Sequence, residues 1–135
     1  MIKKIINKYK NAFENLEVTN INSLLNLVDD NVVFEDPFNR IIGKNKLREL
    51  FLEMFKKLQQ PKFKVLNIFY KQNLAIIKWN FSCKIFRKDI YFDGFSEVTV
   101  KNGKIKKHSD FWDSGKNFYT QVPILGRIFK KIHNI

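Results

Sequence analysis

The sequence predicts one α+β domain in which three N-terminal helices precede a meander of antiparallel strands. Apolar residues recur three and four positions apart up to residue 58, a spacing typical of amphipathic helices. From residue 62 onward apolar and polar residues alternate, which is typical of half-buried strands. A length of 135 residues suits one domain, and strands grouped after helices favour α+β over a parallel βαβ design.

Three helices are predicted from the spacing of their apolar residues. The first starts near residue 2, and the second is short and follows Thr19 or Asn20 as its N-cap. The third ends before Pro61, which cannot continue a helix. The apolar faces of the three helices are, in order, Ile2, Ile5, Ile6, Tyr9, Phe13 and Leu16; Ile21, Leu24, Leu25 and Val28; and Leu47, Leu50, Phe51, Met54, Phe55 and Leu58.

The strands are predicted from period-two alternation and from turn residues. A short strand at 32–36 ends at Pro37, and residues 38–43 are expected to be a connection. Gly94 is expected to mark a bulge. Asn102–Gly103 predicts a type I′ hairpin, because both residues tolerate positive φ. The four longer strands are expected at 62–70, 74–86, 91–100 and 104–113.

Composition narrows the classes of function. The formal net charge is +12, but the lysines are spread along the whole chain, so we do not expect nucleic-acid binding. The single cysteine, Cys83, cannot form an internal disulfide, and we expect it to be a small buried hydrophobic residue. We expect the protein to be cytoplasmic, where thiols stay reduced. No apolar run is long enough to span a membrane. The only histidines, His108 and His133, lack metal-ligand spacing, so we expect no metal and no cofactor.

The C-terminal part differs from the rest of the chain. We expect residues 1–113 to form the domain and residues 114–135 to form an extension with a short amphipathic basic helix at 122–132. Such a helix docks on its own domain or on a partner subunit, or it makes weak contact with a membrane surface through residues 124–132. Docking is favoured, because one short helix buries too little apolar surface for firm anchoring.

Several segments resemble the nuclear-transport-factor-2-like superfamily. They are Lys8 to Phe13 of the first helix, the run Leu27 to Pro37, and the third helix that follows Gly43. The ending from His108 to Asp113 resembles the SnoaL-like branch. The resemblance implies a cone-like curved sheet of about four long strands and one short strand wrapped around the helices. Because the superfamily includes ketosteroid isomerase, polyketide cyclases, epoxide hydrolases, dehydratases and non-catalytic members, it implies no single activity.

Asp36 is the first candidate catalytic residue. It follows Val32 and Phe34 on one face of the short strand, so an apolar face ends in a carboxylate. A carboxylate beside an apolar pocket has a raised pKa and can act as a general base, which is the role of the matching aspartate in ketosteroid isomerase. The alternative is a turn residue that accepts backbone N–H groups before Pro37.

Tyr9 and Ser96 are candidates by resemblance to the same isomerase. Tyr9 matches its oxyanion-hole tyrosine; the alternative is a core tyrosine with a satisfied hydroxyl. Ser96 lies near the position of its second, protonated carboxylic acid, whereas Asp93 is three residues away and should point to the other face of the strand. This departure argues against steroid isomerase activity.

His108 and Asp110 share one face of the last strand with Trp112. A histidine two residues from an aspartate can form a proton-transfer pair or orient a water molecule, and the resemblance to SnoaL-like cyclases implies acid–base chemistry in this region. The alternative is that these side chains pair with Lys106 and Lys107 at the end of the strand.

Two functions remain open at this point. One is a cofactor-independent isomerase, cyclase, dehydratase or hydrolase that acts on a small apolar carbonyl compound. The other is a non-catalytic domain of the same fold that binds a ligand or a protein. The resemblance also implies a homodimer through the outer face of the sheet, although Asn80, Ser82 and Lys84 make that face polar. The residues expected to line the ligand cavity are Phe34, Phe51, Trp79, Phe81, Ser96 and Trp112, although the aromatic ones would equally fill a core.

Overall fold

The computed structural model describes residues 2–113, which form three helices packed against a curved, unclosed six-stranded sheet. The predicted α+β class and the three helices are confirmed. The helices are α1 (Ile2–Glu14), α2 (Ile21–Leu25) and α3 (Lys44–Lys57), with a 3₁₀ turn at Val18–Asn20. The strands are β1 (Val28–Glu35), β2 (Arg40–Ile42), β3 (Gln59–Lys71), β4 (Leu74–Ile85), β5 (Lys88–Lys101) and β6 (Lys104–Phe111).

Three predictions concern positions outside the described residues: the extension at 114–135, its basic helix, and the membrane-surface contact expected through 124–132. Within residues 2–113, every helix is too short or too polar to cross a bilayer.

The sheet is mixed, whereas the sequence predicted an antiparallel one. Its strand order is β2-β1-β6-β5-β4-β3, and every neighbouring pair is antiparallel except β1 and β6, which are parallel. Parallel neighbours need a long crossover connection. Here β2, α3 and the β3–β5 meander supply it, because all of them lie between β1 and β6 in the chain.

The region around β1 differs from the prediction in two further ways. The second helix, whose apolar face was expected to extend to Val28, ends at Leu25, and Val28 begins β1, where the register with β6 shifts between Val28 and Val33. Residues 40–42, expected to be a connection, form β2 and pair with β1 from Val33 to Glu35. A four-residue turn from Asp36 to Asn39 closes this hairpin, with a backbone hydrogen bond of 2.9 Å from Asp36 N to Asn39 O.

The core lies between the helices and the inner face of the sheet. Tyr9 of α1 and Leu47 of α3 are almost completely buried there. The alternation predicted for β4 is present, since Lys78 and Lys84 are exposed and Cys83 is buried. Burial raises the pKa of the Cys83 thiol to about 11, so the thiol is unreactive. The inner face of β4 consists of Ala75, Ile77, Trp79, Phe81, Cys83 and Ile85, all buried.

Two hairpin turns contain two consecutive residues in the left-handed region. Asn102 and Gly103 have φ of 53° and 74°, as the type I′ prediction requires. Phe86 and Arg87 occupy the same region in the turn between β4 and β5, with φ of 49° and 67°. Neither of these two residues favours positive φ, so the sequence carried no turn signal at this position.

Gly94 does not form the expected bulge. It pairs with Trp79 within an unbroken β4–β5 register. A Cβ atom at position 94 would lie 2.5 Å from Trp79 Cη2 and 2.9 Å from the backbone oxygen of Phe111. Glycine is needed here because the indole of Trp79 lies directly over the backbone.

Replacement of Gly94 should therefore destabilise the fold. We expect Gly94→Ala to lower the free energy of unfolding by about 1–3 kcal/mol, because the buried indole must shift to admit the methyl group. Urea denaturation measures this change. Gly103→Asn is the matched control: no atom lies within 4 Å of a Cβ there, and asparagine tolerates positive φ. Equal losses in both variants would contradict the close approach of Trp79.

Candidate active site

The parallel pairing of β1 with β6 brings two carboxylates to one end of the sheet. Its register places Phe34 opposite His108 and Glu35 opposite Ser109. Asp36 and Asp110 are the next residues in the two strands. Both line a cavity of about 70 Å³, whose other lining residues are Phe13, Phe34, Leu50, Phe51, Met54, Phe63, Trp79, Phe81, Phe92 and Trp112.

Asp36 has a role in the turn and a place on the cavity wall. Its Oδ1 accepts hydrogen bonds from the backbone N–H of Phe38 at 2.8 Å and of Asn39 at 2.7 Å. The side-chain amide of Asn39 lies 3.3 Å from both carboxylate oxygens. The turn role and the cavity position, weighed as alternatives from the sequence, thus coexist in one side chain.

Several opposing effects set the pKa of Asp36. Burial raises it most, and the hydrogen bonds from Phe38 and Asn39 lower it. The negative charge of Asp110 adds a further rise, and the result is a pKa of about 6 instead of 3.8. Such a carboxyl group changes its charge just below neutral pH.

A chain of four hydrogen bonds lies behind Asp110. The hydroxyl of Tyr9 is 2.7 Å from Nδ1 of His108, and Nε2 of His108 is 2.5 Å from Oδ1 of Asp110. The same Oδ1 accepts a hydrogen bond of 2.5 Å from Oγ of Ser96. Nε1 of Trp79 donates to that Oγ at 2.7 Å. The chain links α1, β4, β5 and β6.

The indole at one end determines the direction of the bonds from Trp79 through Ser96 to Asp110. An indole N–H only donates, so Ser96 Oγ accepts from Trp79 and gives its own proton to Asp110. An ionised Asp110 then accepts a second proton from Nε2–H of His108. The remaining ring nitrogen, Nδ1, accepts the hydroxyl proton of Tyr9. All five groups are satisfied when Asp110 is ionised and His108 is neutral with its proton on Nε2.

The hydroxyl of Tyr9 lies 2.7 Å from Nδ1 of His108, and its side chain lines a second, smaller cavity of about 30 Å³ together with Ser96 and His108. Asp110 lines both cavities. Burial, followed by the charge of Asp110, raises the pKa of the Tyr9 hydroxyl well above its usual value. The hydroxyl therefore stays protonated and able to donate to His108.

His108 and Asp110 are not paired with the nearby lysines, which the sequence had left as an alternative. Lys106 pairs with Asp29 at 3.4 Å, and Lys107 pairs with Glu35 at 3.0 Å. The ring of His108 stacks on Phe34, with centroids 4.7 Å apart and planes at 30°. Packing and hydrogen bonds therefore hold the imidazole in one orientation.

The structure gathers most of the sequence-predicted site residues around the two cavities. Phe34, Phe51, Trp79, Phe81 and Trp112 line the larger cavity, whereas Ser96 lines the smaller one. Lining residues that sequence reasoning did not assign to the cavity are Phe13, Leu50, Met54, Phe63 and Phe92.

Different signals were available for the residues that were missed. Helical spacing placed Phe13, Leu50 and Met54 in a core, and spacing alone does not distinguish a core from a cavity wall. Asn39 is buried beside Asp36, and no pattern in the sequence marked it. Asp93 accepts a hydrogen bond from Asn80 at 2.9 Å and is absent from both cavities. Within residues 2–113, no three His, Cys, Asp or Glu side chains group as metal ligands.

A family model described as a SnoaL-like domain matches residues 9–108. The chain belongs to the SnoaL-like domain family. The match includes Tyr9, Asp36, Ser96 and His108, and it ends two residues before Asp110. A comparison with curated proteins found no match.

Solved structures share the fold of this SnoaL-like domain at low sequence identity. TerC, co-crystallised with polyporic acid, has a TM-score of 0.75 at 12% identity, covering 85% of this chain and 93% of its own. An LEH-like epoxide hydrolase from M. tuberculosis has a TM-score of 0.74 at 18% identity, covering 92% and 91%. A protein with a ketosteroid isomerase-like fold from Catenulispora acidiphila, in complex with trimethylamine, has a TM-score of 0.76 at 9% identity, covering 92% and 95%. At these identities the likeness establishes the fold alone.

The raised pKa of Asp36 should make the stability of this SnoaL-like domain pH-dependent. Between pH 3.8 and about pH 6, Asp36 keeps its proton in the native state and releases it in the unfolded state. The stability that Asp36 contributes therefore falls as the pH rises through this range. Asp36→Asn removes the titration and keeps an oxygen for the turn. We expect the variant to gain up to about 3 kcal/mol relative to wild type between about pH 4 and about pH 8.

Urea denaturation of both proteins at the two pH values measures the gain. The low-pH comparison is an internal control, because in the native state the side chain at position 36 is then neutral in both proteins. A stability difference that stays constant over this range would show that the native and unfolded states ionise Asp36 alike.

Proposed function

We propose that this SnoaL-like domain binds a small apolar carbonyl compound in the larger cavity and acts on it by cofactor-independent acid–base chemistry. The proposal depends on Asp36, a carboxylate with a pKa of about 6 on the wall of a largely apolar cavity. A base whose pKa lies near the operating pH is largely ionised and still accepts a proton readily. Small molecules are present in two structures of the same fold, polyporic acid in TerC and trimethylamine in the Catenulispora protein.

In the proposed reaction, Asp36 takes a proton from the carbon next to the carbonyl group. The electron pair of the broken C–H bond moves to the carbonyl oxygen, and the protonated carboxyl group returns the proton to the substrate. Oδ2 of Asp36 is the acceptor, because Oδ1 already holds the backbone N–H groups of Phe38 and Asn39. The atoms balance without a cofactor.

Asp110, His108 and Tyr9 support this base. We assign Asp110 as the fixed negative charge that keeps the pKa of Asp36 high. His108 and Tyr9 are positioning residues, because their hydrogen bonds end at Asp110 and not at the wall of the larger cavity. This role for Tyr9 replaces the oxyanion donor that the family resemblance implied.

Turnover should depend on Asp36. Against a panel of apolar carbonyl compounds, Asp36→Asn is expected to lower kcat by about 10²–10⁴-fold, because the amide cannot accept the proton. In wild type, the acid limb of the profile of kcat/KM against pH should fall near 6. Asp93→Asn, which removes a carboxylate outside both cavities, is the matched control.

A non-catalytic domain is the second candidate function, and the turn role of Asp36 favours it. In that case wild type and Asp36→Asn would bind the same compounds with similar affinity, and neither would turn them over. Undiminished turnover by Asp36→Asn would remove the proposed base and leave the site without a catalytic role for this residue.

We also propose that the protein is cytoplasmic and that it forms a homodimer through the outer face of the sheet. Phe69, Phe95 and Phe111 expose 57%, 42% and 46% of their surface, and the last two stack with ring centroids 5.0 Å apart. These rings supply apolar surface on the face that Asn80, Ser82 and Lys84 had suggested to be polar. Exposed aromatic surface of this kind is typical of contact sites.

Sedimentation analysis should show a wild-type dimer that becomes a monomer on Phe95→Glu. Leu52→Glu, at a residue of α3 that is 39% exposed, is the control and should leave the dimer intact. A monomeric wild type, or a dimer that survives Phe95→Glu, would exclude this interface.

A further inference from the structure

Among residues 2–113, the larger cavity is lined by two carboxylates and by no Lys, Arg or His, in a chain that carries 25 Lys and Arg against 13 Asp and Glu. The ion pairs of Lys and Arg in this part of the chain involve other carboxylates, and the partner of Asp110 is His108, whose Nε2 lies 2.5 Å from Oδ1. Lys10 lines the adjoining cavity, but its ammonium group lies 3.7 Å from Glu14. Within residues 2–113, the Lys and Arg side chains thus contribute no positive charge to the wall of this cavity.

The charge of the cavity at neutral pH is negative. Oδ1 of Asp110 accepts the proton of Ser96, and the negative charge of Asp110 adds to the rise that burial causes in the pKa values of Asp36 and Tyr9. Asp36 is largely ionised above pH 6. A buried negative charge without a positive partner is costly, and the cost falls when a cation enters.

The walls suit a cation as well. Eight of the twelve lining residues are Phe or Trp, and the faces of aromatic rings attract positive charge, most strongly where water is excluded. A cavity of about 70 Å³ exceeds the roughly 10–15 Å³ that one water molecule occupies on this measure. It therefore has room for a nitrogen atom with several small alkyl groups.

We propose that the compound bound in this cavity carries an alkylated ammonium group, with its charge near Asp36 and Asp110 and its alkyl groups against the aromatic wall. This inference rests on the proposed function, since it names the substrate class of the same cavity. A neutral carbonyl compound would bring no positive charge to Asp36 and Asp110, whereas an ammonium group places one positive charge beside them.

The test compares two probes of one shape and different charge. Choline and its neutral carbon analogue 3,3-dimethylbutan-1-ol are titrated into the full chain by calorimetry at pH 7.5 and physiological salt. We expect choline to bind at least about tenfold more tightly than the alcohol, because only choline gains the carboxylate and aromatic attraction. Equal affinities, or tighter binding of the alcohol, would overturn the inference.

Two variants locate the binding site. Asp36→Asn and Asp110→Asn should each weaken choline binding about tenfold and leave the binding of the alcohol unchanged. Asp93→Asn, outside the cavity, should change neither affinity. Choline binding that resists both cavity variants would place the cation elsewhere on the protein and contradict the proposal.

The pH gives an independent readout. Choline affinity should rise severalfold from pH 5 to pH 7.5, because Asp36 gains its charge in this range, whereas the affinity of the alcohol should stay flat. The titratable groups around Asp36 are Asp110 on β6, with His108 and Tyr9 behind it, and Lys10 at the adjoining cavity. A pH dependence of choline binding that survives in Asp36→Asn would exclude Asp36 as its source.

The outcomes separate this inference from the proposed function. If neither probe binds, but carbonyl compounds still bind or react in a manner that depends on Asp36, the ammonium inference alone is overturned. If those compounds are also inert, both the inference and the proposed function fail.

Discussion

The parallel pairing of β1 with β6 is the constraint on which the whole site depends. It joins two strands that lie about 70 residues apart in the chain and places Phe34 opposite His108. A slip of one residue would turn every side chain of β1 to the other face of the sheet. Asp36 would then leave the cavity, and Phe34 would no longer stack on His108. Register at this single junction therefore determines whether the two carboxylates meet.

The second consequence of the sheet is the direction of the hydrogen-bond chain. The antiparallel β5–β6 register pairs Ser96 with Asp110, and the indole of Trp79 on β4 donates to Ser96. Because an indole N–H only donates, one buried tryptophan determines that the hydroxyl of Ser96 gives its proton to Asp110. Gly94 belongs to the same arrangement, since a side chain at that position would displace the indole.

The sequence predicted the elements better than their partners. Helical spacing in α1 and α3 and alternation in β4 are local signals, and the structure follows them. The parallel junction and β2 were missed, because pairing between distant strands leaves no local pattern and Arg40–Ile42 is too short to show alternation. Asp36 was found because it ends an apolar face of the short strand, and His108 and Asp110 were found because a histidine two residues from an aspartate can form a proton-transfer pair. Asn39 and the role of Trp79 as a donor were not predictable, since both depend on contacts between elements.

The dual role of Asp36 explains why its pKa lies near 6 and not higher. Burial and the charge of Asp110 both favour the neutral carboxyl group and raise the pKa of Asp36. The hydrogen bonds from Phe38 and Asn39 favour the ionised form and partly offset them. The Asp36–Asn39 turn that closes the β1–β2 hairpin thus has a chemical effect as well as a structural one. A carboxylate without these hydrogen bonds would hold its proton more tightly and would be a less available base.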